Sequence, residues 1–81
     1  MNTNKEVMRA FATGKELIGT NVKSKMIEGK LCFVSYQTIV GYWIDNNTVS
    51  FTTTKYSKTT SKQITQCKYE CYIPSVKIEE Y

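Results

Sequence analysis

Eighty-one residues, 41% hydrophobic and 12% aromatic, suit one small domain spanning residues 1–81 and are too apolar for a disordered chain. No apolar run nears the roughly 20 residues of a membrane helix. The chain has no His, three Cys and a formal charge of +4, which argues against a closed zinc site.

The N-terminal MNTNKEVMRAF has no apolar signal core, so the protein is expected to stay in the cytoplasm where it is made. Cys32, Cys67 and Cys71 accordingly read as reduced, partly buried thiols. Thr3-x-x-Glu6 has the form of a capping box. Val7, Met8 and Phe11 follow at helical spacing, and Gly14 suits the residue after a helix end. A helix over 4–13 is therefore predicted. Gly14 to Gly19 superficially resembles the start of a phosphate loop. The second Gly is followed by Thr20-Asn21, so the phosphate-binding lysine is missing and the motif is rejected. Leu17 and Ile18 are expected to anchor a helical turn or loop. Residues 20–30 are polar, with Val22, Met26 and Ile27 as anchors and Glu28-Gly29 as a turn signal. Residues 31–36, LCFVSY, are apolar on both faces, as in a central strand.

Residues 39–44 and 48–54 are rich in β-branched and aromatic types and read as a hairpin. Asn46-Asn47 suits its two central turn positions, because Asn tolerates positive φ. With Asp45 opposite Thr48, Ile44 pairs with Val49, Tyr42 with Phe51 and Val40 with Thr53. That register puts Val40, Tyr42, Ile44, Val49 and Phe51 on the core face. Trp43 falls on the other face with Ile39, Gly41, Ser50, Thr52 and Thr54, either under a second layer or as an exposed-aromatic candidate for a partner. Thr60-x-x-Gln63 reads as a second capping box. Ile64, Cys67 and Cys71 then mark one face of a helix over about 61–71. Pro74 ends it, and Val76 and Ile78 suggest a short edge strand. The expected fold is α+β: a small antiparallel sheet of three to four strands with a helix from each end of the chain packed on it.

Between Asp45 and Glu70 there is no acidic residue, but there are Lys55, Lys58, Lys62 and Lys68. The other basic and acidic residues cancel, so the net charge lies in this one segment. A helix starting near residue 61 presents free N–H groups and the positive end of its dipole. Lys55, Tyr56, Lys58, Thr59, Ser61 and Lys62 around it form a candidate anion- or partner-binding site. A plain helix cap with solvated lysines accounts for the same residues.

Ser35-Tyr36-x-Thr38, an apolar pair, a short hairpin and Lys55-Tyr56-Ser57-x-Thr59-Thr60-Ser61-Lys62 resemble a family of small uncharacterised domains of phages and other mobile elements. The resemblance covers roughly 30–68. A His often follows the T-T-S-[KR] element in that pattern; here Gln63 stands there, so no imidazole role carries over. The resemblance implies a phage accessory protein in the host cytoplasm that binds a host protein or ribonucleoprotein complex, including an anti-defence protein of anti-CRISPR-like type.

With no His, the thiols lack an imidazole partner and the carboxylates are scattered, so no catalytic residue is assigned and the protein reads as non-enzymatic. No cofactor, metal or membrane partner is expected. The alternative function is a nucleic-acid-binding module using the Lys- and Tyr-rich 55–69 segment and nearby Tyr72. Arg9 is the single arginine, which weighs against base reading. Self-association as a homodimer is also expected, because strand 31–36 is apolar on both faces.

Overall fold

The computed structural model describes residues 2–81. Its elements in chain order are α1 (Asn4–Ala12), β1 (Leu17–Ile18), β2 (Val22–Ile27), β3 (Lys30–Ser35), β4 (Thr38–Asp45), β5 (Thr48–Phe51), α2 (Lys58–Glu70) and β6 (Lys77–Glu80). The strands form one sheet in sequential order. The class is α+β, but the expected antiparallel sheet of three to four strands is corrected to a six-stranded mixed sheet. β1 to β5 are antiparallel neighbours, while β5 and β6 run parallel. A parallel pair cannot be joined by a tight turn. Helix α2 is the crossover that returns the chain to the same edge.

Helix α1 is fixed at both ends by its own sequence. Glu6 N–H donates to Thr3 Oγ1 at 3.2 Å, and Thr3 N–H donates to Glu6 Oε1 at 3.0 Å. At the other end Gly14 takes φ +79°, Gly14 N–H reaches Phe11 O at 3.1 Å and Lys15 N–H reaches Ala10 O at 2.8 Å. This double closure caps the last carbonyls.

Strand β2 was not expected. Its core-side positions are Val22, Ser24 and Met26, and the serine interrupts the apolar pattern. Ser24 is nonetheless fully buried, because its hydroxyl donates to Lys15 O at 2.7 Å. Strand β1 likewise replaces the expected helical turn or loop at Leu17-Ile18. The turn to β3 is Glu28-Gly29, with φ of +50° and +83°, the left-handed pair that a two-residue hairpin loop requires.

The β4–β5 hairpin keeps the expected loop but not the expected register. Asp45 pairs with Thr48, as read from the turn. Neither Asn46 nor Asn47 has a positive φ. The turn is instead held by Asp45 Oδ1, which accepts from Asn47 N–H at 2.8 Å. A turn without left-handed residues twists against a strict two-residue hairpin. An irregularity between Trp43 and Asp45 absorbs the mismatch, so Trp43 pairs with Val49, Tyr42 with Ser50 and Gly41 with Phe51. Tyr42 and Ile44 therefore leave the core face, and Trp43 joins it. A second irregularity between Phe33 and Val34 of β3 brings Val40 into the core.

Both helices cover one face of the sheet. Val7, Met8 and Phe11 of α1 and Ile64 and Cys67 of α2, with Cys71 at its end, meet Val22, Leu31, Phe33, Val40, Val49 and Phe51 in one cluster. Phe11 sits at its centre, with its ring 5.6 Å from Phe33 and 6.0 Å from both Phe51 and Trp43.

Candidate functional site

The S-Y-x-T and K-Y-S-x-T-T-S segments meet in space. Helix α2 starts one turn earlier than the expected 61–71, because its N-cap is Ser57, not Thr60. Ser57 Oγ accepts from Thr60 N–H at 3.2 Å. Thr60 and Gln63 are buried. Ser35, at the end of β3, donates to Gln63 Oε1 at 2.5 Å and lies 3.4 Å from Thr60 Oγ1, while Ser57 Oγ–H reaches Thr60 Oγ1 at 3.2 Å. Ser35, Ser57, Thr60 and Gln63 thus dock α2 onto the sheet through a satisfied polar cluster. Tyr36 follows in the tight turn at φ +57°.

The predicted anion-site residues surround the start of α2. Lys58 and Thr59 are the first two helical residues after the cap, and both are exposed. Lys55, Tyr56 and Lys62 are exposed, and Ser61 is half-buried one turn in. No acidic residue lies in the first turn. Lys55, Lys58 and Lys62 belong to none of the ion pairs among the described residues, which are Arg9–Glu70, Lys68–Glu80 and Lys77–Glu79. The fourth lysine of the segment, Lys68, is thereby neutralised. Tyr69 and Tyr72 are exposed, with rings 6.3 Å apart, but lie at the far end of α2. At 1.5 Å per residue that end is about 18 Å from Lys58. The 55–69 segment is therefore two separate features, a lysine end and a tyrosine end.

Trp43 is half-buried on the helix-covered face, not on the opposite one. Its Nε1–H donates to Phe11 O at 2.8 Å, and its ring packs beside Phe11. Its free edge borders a cleft of about 560 Å³ with Ala12, Lys30, Asp45 and Val76. Cys32, Cys67 and Cys71 are all buried thiols. Burial pushes the Cys67 thiol well above its ordinary range, reinforced by Cys71 beside it. No group of His, Cys, Asp or Glu among the described residues has the arrangement of a metal site. No helix among them is long and apolar enough to cross a membrane.

A second surface was not legible in the sequence. The sheet face away from the helices carries Lys25, Cys32, Tyr42, Ser50 and Glu79 in one cross-strand row, since each pairs with the next. Lys23, Val34 and Ile39 form the next row, and Lys30 lies two residues before Cys32 on the same side. Cys32 and Val34 are only 5% and 3% exposed. The outer side of β3 is thus buried within the monomer by its neighbours. Lys30 Nζ lies 5.5 Å from the Tyr42 ring centre, and the Tyr81 ring lies 5.4 Å from Tyr42. Burial raises the Tyr81 hydroxyl above its ordinary pKa, with the Tyr42 and Tyr56 hydroxyls adding to it.

The fold and site define a small single-sheet α+β domain with a basic helix start and an open face of lysine and tyrosine. The chain belongs to the family of unknown function DUF8033, whose model matches residues 3–77. No match was found among curated proteins or among solved structures.

Proposed function

We propose that this protein is a small non-enzymatic accessory protein of a phage or mobile element that binds and inhibits or redirects a host protein or ribonucleoprotein complex in the host cytoplasm, including as an anti-defence protein. The observation that carries the reading is the start of α2. Lys55, Lys58 and Lys62 stand there without a carboxylate partner, beside a helix N-terminus with no acid in its first turn. Such an end attracts an acidic surface. The backbone beneath is held by the Ser35–Thr60–Gln63 cluster, so the lysines project from a fixed base. A plain cap with solvated lysines accounts for the same geometry, and charge reversal separates the two. Lys58→Glu with Lys62→Glu leaves folding almost unchanged, because exposed lysines contribute little. Affinity capture from host lysate is expected to recover a defined complex with the parent protein and to lose it with the reversed one. Equal recovery by both refutes this role for the α2 end.

The open sheet face favours a second reading, the nucleic-acid-binding module, through residues other than the 55–69 segment alone.

A further inference from the structure

We propose that the helix-free face of the sheet is a stacking platform for single-stranded nucleic acid, with Tyr81 and Tyr56 taking bases and Lys23, Lys25 and Lys30 taking phosphates. The surface adjoins the α2 end at Tyr56 but does not depend on the role of the α2 lysines.

The platform is built by register. The row from Lys25 to Glu79 crosses five strands, about 19 Å at the usual strand spacing, which is room for a few nucleotides. Tyr81 is held rigidly over it. Its N–H donates to Phe51 O at 3.0 Å, and its carbonyl accepts from Thr53 N–H at 2.7 Å and Thr53 Oγ1 at 2.8 Å. Its ring leans on Tyr42, yet the residue stays 49% exposed. Tyr56 is 41% exposed and follows three residues after Thr53, which holds the Tyr81 backbone. Aromatic rings fixed on a sheet offer π faces to unstacked bases, whatever their identity.

The charge on this face matches a polyanion. Lys23, Lys25 and Lys30 are in no ion pair among the described residues. By register, Glu79 lies on this face with Lys77 Nζ 3.8 Å from it, and Glu16 stands at the β2 edge beside Lys25, its carboxylate accepting from Met26 N–H at 3.0 Å. Asp45 and Glu28 sit in turns at the Lys30 end, with Asp45 tied to Asn47 N–H.

Three alternatives fit less well. A protein partner would meet a surface rich in lysine, the residue depleted at protein interfaces, and its most central residues, Cys32 and Val34, are already buried. Duplex DNA is read by an element that enters a groove, which a flat sheet face cannot do. The lack of arginine on this face removes bidentate base reading, so binding should tolerate sequence.

The test is fluorescence anisotropy with a short labelled oligothymidylate, an oligouridylate, a mixed-sequence duplex and an oligoglutamate peptide. Binding of either single strand is expected, weaker for duplex and peptide, with log K falling by about two units per log unit of salt for three phosphate contacts. The two single strands tell DNA from RNA. Tyr81→Ala and Tyr56→Ala should each weaken binding about ten-fold, and Lys23→Glu with Lys25→Glu should abolish it. Lys58→Glu with Lys62→Glu should leave it intact. Tyr56 is in an exposed loop, so its variant keeps the test decisive if Tyr81→Ala lowers the melting temperature. The proposal is overturned by no single-strand binding at low salt, by binding indifferent to both tyrosines, by equal affinity for the peptide, or by a sedimentation dimer that Tyr81→Ala breaks.

Discussion

Gln63 is a polar residue in the core, and its neighbours explain it. Its amide oxygen accepts from Ser35 while Thr60 and Ser57 close the cluster, and no buried side-chain nitrogen or oxygen among the described residues lacks a partner. Gln63→Leu removes the shorter of the two partners and leaves the buried Ser35 hydroxyl only its 3.4 Å contact with Thr60 Oγ1, at a cost of about 1–3 kcal/mol in chemical denaturation. Adding Ser35→Ala removes this poorly paired hydroxyl as well. The double variant should then cost less than the sum of the singles; strict additivity would show that the two side chains do not act together. The α2 cap is Ser57, not Thr60. Ser57→Ala should cost about 1 kcal/mol and Ser57→Gly only a few tenths, because Ser57 is the N-cap.

At the scale of elements, strand β4 is set by the contact between Gly41 and Phe51. A Cβ on Gly41 would stand 2.6 Å from Phe51 Cδ1 and 3.2 Å from Ser50 O. The Phe51 ring is fully buried and cannot yield. Gly41→Ala should therefore destabilise by about 1–3 kcal/mol, read by thermal melting. Two element ends carry acid sensitivity. The Thr3 backbone N–H lowers the Glu6 pKa from its ordinary 4.5, and the Asn47 backbone N–H does the same for Asp45. A carboxyl depressed in the folded state contributes stability above its unfolded pKa and loses it as pH falls through the folded one. Melting temperature should drop on acidification below about pH 4.5, and Glu6→Gln with Asp45→Asn should flatten that drop.

For the whole molecule, the core also sets an alkaline limit. Burial raises the Cys67 thiol well above its ordinary 9.0, so this group stays protonated in the fold. The unfolded chain releases that proton near pH 9. Stability is therefore full below about pH 9 and declines as pH rises further. Native Cys67 and Cys71 should resist a thiol reagent at neutral pH and react on denaturation; rapid native labelling would contradict the burial described here.

The sequence alone determined α1 to within one residue, since its capping box and Gly14 are local signals that tertiary contacts had no reason to override. It also placed the hairpin loop, the central strand, the second helix within one turn, and the edge strand at the chain's end. Tertiary structure decided the rest. Strand β2 was hidden because Ser24 occupies a core position that only a distant carbonyl, Lys15 O, makes tolerable. The hairpin faces turned on an irregularity beside Ile44, and a one-residue slip exchanges the buried and open sets of side chains. That slip moved Trp43 inward and Tyr42 outward. The lysine cluster at the start of α2 was legible because its residues are close in the chain and lack nearby acids. The open face was not, because Lys25, Tyr42 and Glu79 become neighbours only when separate strands pair, and their charges cancel in a linear count.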